Sequence, residues 1–186
     1  MLKKMRGFTL IEMLIVVAII GILATLLIPN AMSALQKAKQ KGTVKDINTI
    51  ATGLMDYVTD KGVAPAGGNG AVQKNTGVVT ALEGFYVKVF PINDQWALPF
   101  QVYTGGNVSG QWGITYGEGV DFGDDEFVVG SFGKDKAYDA TPGYDPEDTT
   151  AGLYEVNTMK DFENDIVNWN GSLVVGPRAT AGAAGT

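Results

Sequence analysis

F-T-L-I-E-M-L-I-V-V-A-I-I-G-I-L-A-T-L-L-I, Phe8 to Ile28, decides how the rest of the chain is read. It is 21 residues long and carries one charge, Glu12. A bilayer core takes about 20 apolar residues in a helix, so the run is long enough to span one. On its short N-terminal side, M-L-K-K-M-R-G (Met1–Gly7) holds Lys3, Lys4 and Arg6 and no acid. That places this side in the cytoplasm and the remainder across the membrane. A secretory signal has a shorter apolar core followed by a small-x-small cleavage site. Here Ile28, Pro29 and Asn30 lead straight into a charged helix. A plain membrane anchor fits the length but gives no reason for Glu12.

An ionisable group within an apolar span costs roughly 2.5–3.5 kcal/mol on insertion scales. Two readings account for it. Glu12 lies near the membrane edge and snorkels to water, or it meets a buried positive charge. A cut after Gly7 would supply that charge as the new α-amino group of Phe8, neutralised by Glu12 of another copy.

G-F-T-L-I-E, Gly7–Glu12, followed by a long apolar helix, resembles the class III signal peptide of type IV pilins and type II secretion pseudopilins. The resemblance implies cleavage after Gly7 by a prepilin peptidase, N-methylation of Phe8, and Glu12 as the assembly glutamate. Pro29 falls where that superfamily has a helix-disrupting proline, in a region that can unwind on assembly; an ordinary proline kink at the membrane edge is the other reading.

Past Pro29, Ala31, Leu35, Ala38, Ile47, Ile50, Ala51, Leu54 and Val58 recur at helical spacing, while lysines and aspartates take mostly other positions. Gly62 and Pro65 end the pattern. The expected organisation is a leader over 1–7, a membrane or filament-core helix over 8–30, an amphipathic half over 31–62, a globular domain over 63–176 and a flexible tail over 177–186. The apolar half is expected to protrude and the amphipathic half to pack on the domain.

In the domain, residues 63–80 read as loop, Ala81–Tyr86 as a short helix, and Val87–Phe90, Phe100–Tyr103, Gln111–Tyr116 and Phe127–Ser131 as strands. Ser172–Val175 reads as an edge strand or an ordered tail. One long helix followed by short strands makes the fold class α+β, pilin-like, with a small antiparallel sheet.

After Gly62 there are 16 acidic against 6 basic residues, a local net of −10, which argues against nucleic acid as a partner. The chain has no cysteine and no histidine, so disulfides, thiolate chemistry and the commonest general base are all missing. With no catalytic constellation visible, the chain reads as a non-enzyme.

N-D-Q-W-A-L-P-F, Asn93–Phe100, resembles the Asp-Pro-Trp-Gly-x-Pro-Tyr signature of the major pseudopilin, with Gln95 in place of the Pro and Ala97 in place of the Gly. From chemistry alone Trp96 is a core aromatic. V-G-S-F-G-K-D, Val129–Asp135, and E-N-D-I-V-N-W, Glu163–Trp169, resemble the two halves of that family's calcium site. The implied ligands are Asp135, Glu163 and Asp165, with the backbone carbonyl of Phe132; calcium accepts such oxygens in permissive geometry. Solvated loop acids are the other reading. The connection 136–162 is longer than the resemblance leads one to expect and carries Asp139, Asp145, Glu147 and Asp148, which either loop out from an intact site or replace some ligands. Asp124–Asp125–Glu126 reads as a solvated turn before a strand.

The functional expectation is a structural subunit of a type II secretion pseudopilus, anchored in the bacterial inner membrane and polymerised into a periplasmic filament. Its implied partners are copies of itself, prepilin peptidase, the assembly platform, minor pseudopilins and membrane lipid. The major pilin of a surface type IV pilus is the alternative. A membrane-anchored ligand-binding module, citing Trp96, Trp112 and Trp169, is the third reading.

Overall fold

A single helix, α1, runs from Leu10 to Lys61 in the computed structural model, which describes residues 8–75, 77–116 and 121–178. Its start is closed by a capping box. The Glu12 amide donates to Thr9 Oγ1 at 3.3 Å, and the Thr9 amide donates to Glu12 Oε2 at 2.8 Å. The helix continues through Pro29. There the missing N–H leaves one carbonyl of the preceding turn without its helical donor, while Asn30 Nδ2 donates to Leu26 O at 3.4 Å.

The chain divides into two units between Lys37 and Ala38. In the first unit the large apolar residues from Leu10 to Ile28 are exposed. The packed face begins later than the periodicity predicts: Ala31, Leu35 and Ala38 are exposed, and burial starts at Gln40 and Thr43.

In the second unit, Ile47, Ile50, Ala51 and Leu54 of α1 are buried against one face of a six-stranded sheet. Its strands are β1 (Asn69–Ala71), β2 (Gln101–Thr104), β3 (Phe127–Ser131), β4 (Leu153–Tyr154), β5 (Ile166–Trp169) and β6 (Ser172–Pro177), in spatial order β1-β2-β3-β5-β6-β4. All pairs are antiparallel except β4 with β6, which run parallel, so the sheet is mixed where an antiparallel one was expected. A short helix, α2 (Gly77–Leu82), adds Val79 and Leu82 to the same core and starts earlier than the expected Ala81–Tyr86.

The sheet is covered on both faces, which is why β3 is buried along its whole length. Phe127 and Val129 face the α1 core, while Val128 joins Val108, Trp112, Ile114, Val167 and Val175 in a second cluster. Gly130 makes room for the Trp112 ring, since a Cβ there would lie 2.5 Å from the indole. The long connection helps to cover this second cluster: the Tyr144 amide donates to Trp112 O at 2.9 Å, and Tyr144 and Tyr154 pack against it.

Several local expectations change. Gln111–Tyr116 is no strand; it holds a 3₁₀ turn at Gln111–Gly113 with Trp112 at φ 48°. Val87 makes only an isolated bridge to Glu83, so Val87–Phe90 is no strand either. β1 lies within the stretch read as loop. The β5–β6 hairpin turns at Asn170 and Gly171, φ 47° and 86°, the two-residue left-handed turn that Asn-Gly favours. Of the expected tail over 177–186, Pro177 ends β6 and the Arg178 amide donates to Tyr154 O at 2.8 Å. Residues 179–186 lie outside the described residues.

Candidate functional site

At the N-terminus, Gly7 lies outside the described residues. Phe8 is 79% exposed, and Glu12 accepts from both the amide and the hydroxyl of Thr9, the latter at 2.7 Å. The carboxylate is therefore fixed at the head of α1, one turn from Phe8. α1 is long and apolar enough to cross a membrane.

The Asn93–Phe100 motif is a buried polar clamp. Asp94 Oδ1 accepts from the amides of Trp96 and Leu98, both at 2.9 Å, and Oδ2 accepts from Ser131 Oγ at 2.7 Å. Trp96 lies in the α1 core. Ala97 has φ 65°, a left-handed conformation that costs a β-carbon residue and suits the Gly of the resembled signature. Gln95 uses what a proline lacks: its amide donates to Thr43 Oγ1 at 3.3 Å, and its side chain donates to Asp46 at 2.9 Å.

The two segments read as halves of a calcium site come together. The Lys134 amide donates to Phe162 O at 2.9 Å, and Gly133 packs so closely on the Glu163 and Asn164 carbonyls that a Cβ would lie within 2.5 Å and 2.7 Å of them. Asp165 is fully buried; its Oδ2 accepts from Trp112 Nε1 at 2.6 Å and from the Asp139 amide at 3.0 Å. Its Oδ1 has no hydrogen-bond partner. Burial pushes the carboxyl up to about 7; the two hydrogen bonds oppose this, and the charges of Asp139 and Asp135 add to it. Asp139 is also raised, first by burial and then by Asp135 and Glu163.

The other expected ligands are less committed. Asp135 is exposed and accepts from the Ala137 amide at 3.0 Å, while Glu163 pairs with Lys134 at 3.1 Å. Phe132 places its ring 6.1 Å from both Trp112 and Tyr138. Among the described residues no three acids stand close enough to share an ion. The donor chemistry nevertheless fits a hard cation: a buried, orphaned carboxylate oxygen, with acids around it whose charges repel. Of the four acids that the long connection offered as replacement ligands, Asp139 is the one whose backbone meets Asp165, a placement that depends on how the connection folds. Asp145 and Asp148 close their own local turns, by accepting from the Glu147 and Thr150 amides at 2.9 Å each.

Asp124 and Asp125 are exposed as expected, but Glu126 is buried, accepting from the Tyr116 hydroxyl and from Asn170 Nδ2. Of the three tryptophans that a ligand-binding surface would cite, Trp96 and Trp112 lie in the cores. Trp169 alone lines an open groove of about 430 Å³, with Tyr116 and Tyr144.

Residues 2–28 match the prokaryotic N-terminal methylation motif. The chain is 37% identical over 114 residues to the type II secretion system core protein G of Vibrio cholerae, covering 57% of this chain and 77% of that protein. It is 34% identical over 110 residues to the same-named protein of Aeromonas hydrophila, covering 56% and 76%. For the Pseudomonas aeruginosa protein the figures are 37% over 105 residues, 53% and 73%. No solved structure matches the chain. With an N-terminal methylation motif heading α1 and about three quarters of each of these relatives covered, the chain belongs to the family of the type II secretion system core protein G.

Proposed function

We propose that the chain is the major structural subunit of a type II secretion pseudopilus. It inserts in the inner membrane through Phe8–Ile28, is cut after Gly7 by prepilin peptidase, is methylated on Phe8, and polymerises into a periplasmic filament with minor pseudopilins on an assembly platform. Its role is mechanical, not catalytic. The observation that supports this most directly is a helix whose large apolar residues stay exposed from Leu10 to Ile28 and which holds a single carboxylate, Glu12, at its head. Such a surface needs lipid before assembly and other copies of itself afterwards. Glu12 then offers the incoming Phe8 ammonium a partner in a medium where an unpaired charge is costly.

Deletion of the gene tests the reading. Export of secreted proteins should stop while surface fibres remain. Loss of surface fibres with intact export would make the chain a surface pilin.

Calcium belongs to the same proposal. Asp165 would be its buried anchor, and Asp139, Asp135, Glu163 and the Phe132 carbonyl would have to draw in around the ion, since among the described residues no three acids stand close enough to share it as they are placed. When bound, the ion would supply positive charge beside the buried Asp165, whose carboxylate Asp139 and Asp135 repel. The Lys134 amide, donating to Phe162 O, holds the two chain segments together beside Asp165, and Trp112 orients Asp165.

A further inference from the structure

We infer that the exposed basic face at the start of the second unit's stretch of α1, Lys41 and Lys45 with Lys39 beside them, docks on the acidic globular domain of a second copy of this chain. The inference rests on the homopolymer reading and adds which surface meets which.

The charge of the chain is divided along its length. Between Glu12 and Asp46 there are four lysines, Lys37, Lys39, Lys41 and Lys45, and no acid, while everything after Gly62 carries a net of −10. Domains of that charge repel one another when packed side by side, and a large net charge favours the separated state. A positive surface on each subunit would offset that repulsion. Lys3, Lys4 and Arg6 precede Gly7 and leave with the leader in the reading proposed above, and the densest run of lysines that stays is Lys37–Lys45 on α1.

That cluster is uncommitted within its own chain. Lys41 and Lys45 are exposed and one helical turn apart, hence on one face. Among the described residues neither they nor Lys37 nor Lys39 forms an ion pair; the one pair present is Lys134 with Glu163. The neighbouring Asp46 is engaged by Gln95 at 2.9 Å. The same face continues through Asn48 and Thr52, both exposed and uncharged, so nothing along it neutralises the lysines.

Distance favours a protein over lipid headgroups. Lys41 and Lys45 follow Ile28 by 13 and 17 residues, and even a helix takes about 1.5 Å of chain per residue. The headgroup layer is only about 5–8 Å thick on each side of the hydrocarbon core. Attraction to it fades within a Debye length of about 8–10 Å. A basic face on one part of the chain and an acidic surface on another also make a heterologous contact, the kind that propagates into an open helical polymer.

The test is filament yield in cells that lack the wild-type subunit. Lys41→Glu/Lys45→Glu should insert, be processed and melt as wild type does, and lose filaments by about tenfold or more, since like charges set against each other at an interface cost several kcal/mol. Adding Asp124→Lys/Asp125→Lys or, in a separate chain, Asp145→Lys/Glu147→Lys to the same variant restores opposite signs, and at least one of the two should recover assembly. Sheared wild-type filaments should also shorten as NaCl rises from about 0.05 to 0.5 M. Wild-type yield from the Lys41→Glu/Lys45→Glu chain overturns the inference, as does loss that neither swap repairs. Salt-insensitive filaments, combined with loss of binding by the unassembled variant to phosphatidylglycerol vesicles, would assign the lysines to lipid. Absence of filaments from the wild-type chain would instead remove the homopolymer reading on which the inference stands.

Discussion

The two stretches of α1 use the same apolar residues to opposite ends. Leu10 is 85% and Ile28 56% exposed, whereas Ile47, Ile50 and Leu54 are wholly buried. Burying one such side chain contributes about 1.5–3 kcal/mol. The second stretch obtains this from its own sheet, so its residues set the stability of the fold. The first can obtain it only from a surrounding phase, so its residues set membrane insertion and assembly. Changes in the first stretch should therefore alter filaments and leave melting untouched, and changes around the second should do the reverse.

The largest expected effect lies on the assembly side. Glu12→Ala should insert and be cut after Gly7 as well as wild type, because removing a carboxylate makes the span more apolar. It should nevertheless yield almost no filament, since the Phe8 ammonium would then be buried without a partner. Its melting temperature should match wild type. Normal filament yield in cells without wild-type subunit would show that the capping box with Thr9 is the whole role of Glu12.

On the fold side, Asp94→Ala should cost about 3–5 kcal/mol, because the amides of Trp96 and Leu98 and the Ser131 hydroxyl all lose their buried acceptor. At about 2–4 °C per kcal/mol the melting temperature should fall by roughly 6–20 °C. Asp94→Asn keeps an acceptor for the amides and should lose less. Thermal unfolding of the full chain in detergent, followed by tryptophan fluorescence, measures both. A fall in melting of that size from Glu12→Ala, or none from Asp94→Ala, would break the division between the two stretches.

That division also explains what could be read from the sequence. Gly7–Glu12 and the apolar span are local patterns, and β2 and β3 announce themselves as short apolar runs. Trp112 did not, because Q-W-G-I-T-Y alternates like a strand, and the residue becomes a turn only once Gly130 and the long connection shape its cavity. The pairing of Asp165 with Asp139 likewise depends on closing a loop across 26 residues. The β5–β6 hairpin has a local signal as well, Asn170-Gly171 between two apolar runs. Its first strand, however, lies in the E-N-D-I-V-N-W segment that the resemblance reads as ligands, and only Ser172–Val175 reads as a strand. Ala97 in a glycine conformation shows the converse, a departure from the signature that the fold tolerates.

The acid cluster yields the next effect. Asp165 has its carboxyl pushed up to about 7, against about 3.9 in an unfolded chain. The folded state therefore binds more protons than the unfolded state between those values, and without calcium the stability should fall as pH rises from about 4 to 7, by on the order of 4 kcal/mol, then level off. Asp165→Asn should flatten that slope while still accepting from Trp112. Calcium at 100 times its Kd should add about 2.7 kcal/mol near neutral pH, and more as pH rises, because ligands must be deprotonated to bind. A slope unchanged in Asp165→Asn would place the titration elsewhere.

The smallest effect separates a surface ion pair from a ligand. Lys134 and Glu163 meet at 3.1 Å with each side chain 32% exposed. Exposed pairs of this kind contribute about 0.2–1 kcal/mol, since water screens them and two long side chains must be held still. Glu163→Gln should thus lower stability by less than about 1 kcal/mol in chelator, a melting change of roughly 2–4 °C at most. If Glu163 helps to hold calcium, the same substitution should weaken calcium binding by about tenfold or more, as losses around a metal site commonly do. Calorimetric titration of the two chains gives the affinities, and melting in chelator gives the pair energy. Equal calcium affinity would reduce Glu163 to the partner of Lys134, leaving Asp165, Asp139 and Asp135 to carry the ion. A loss well above 1 kcal/mol in chelator would mean that the pair locks the Gly133 backbone against the carbonyls of Glu163 and Asn164, which would make the cluster a structural clasp with or without metal.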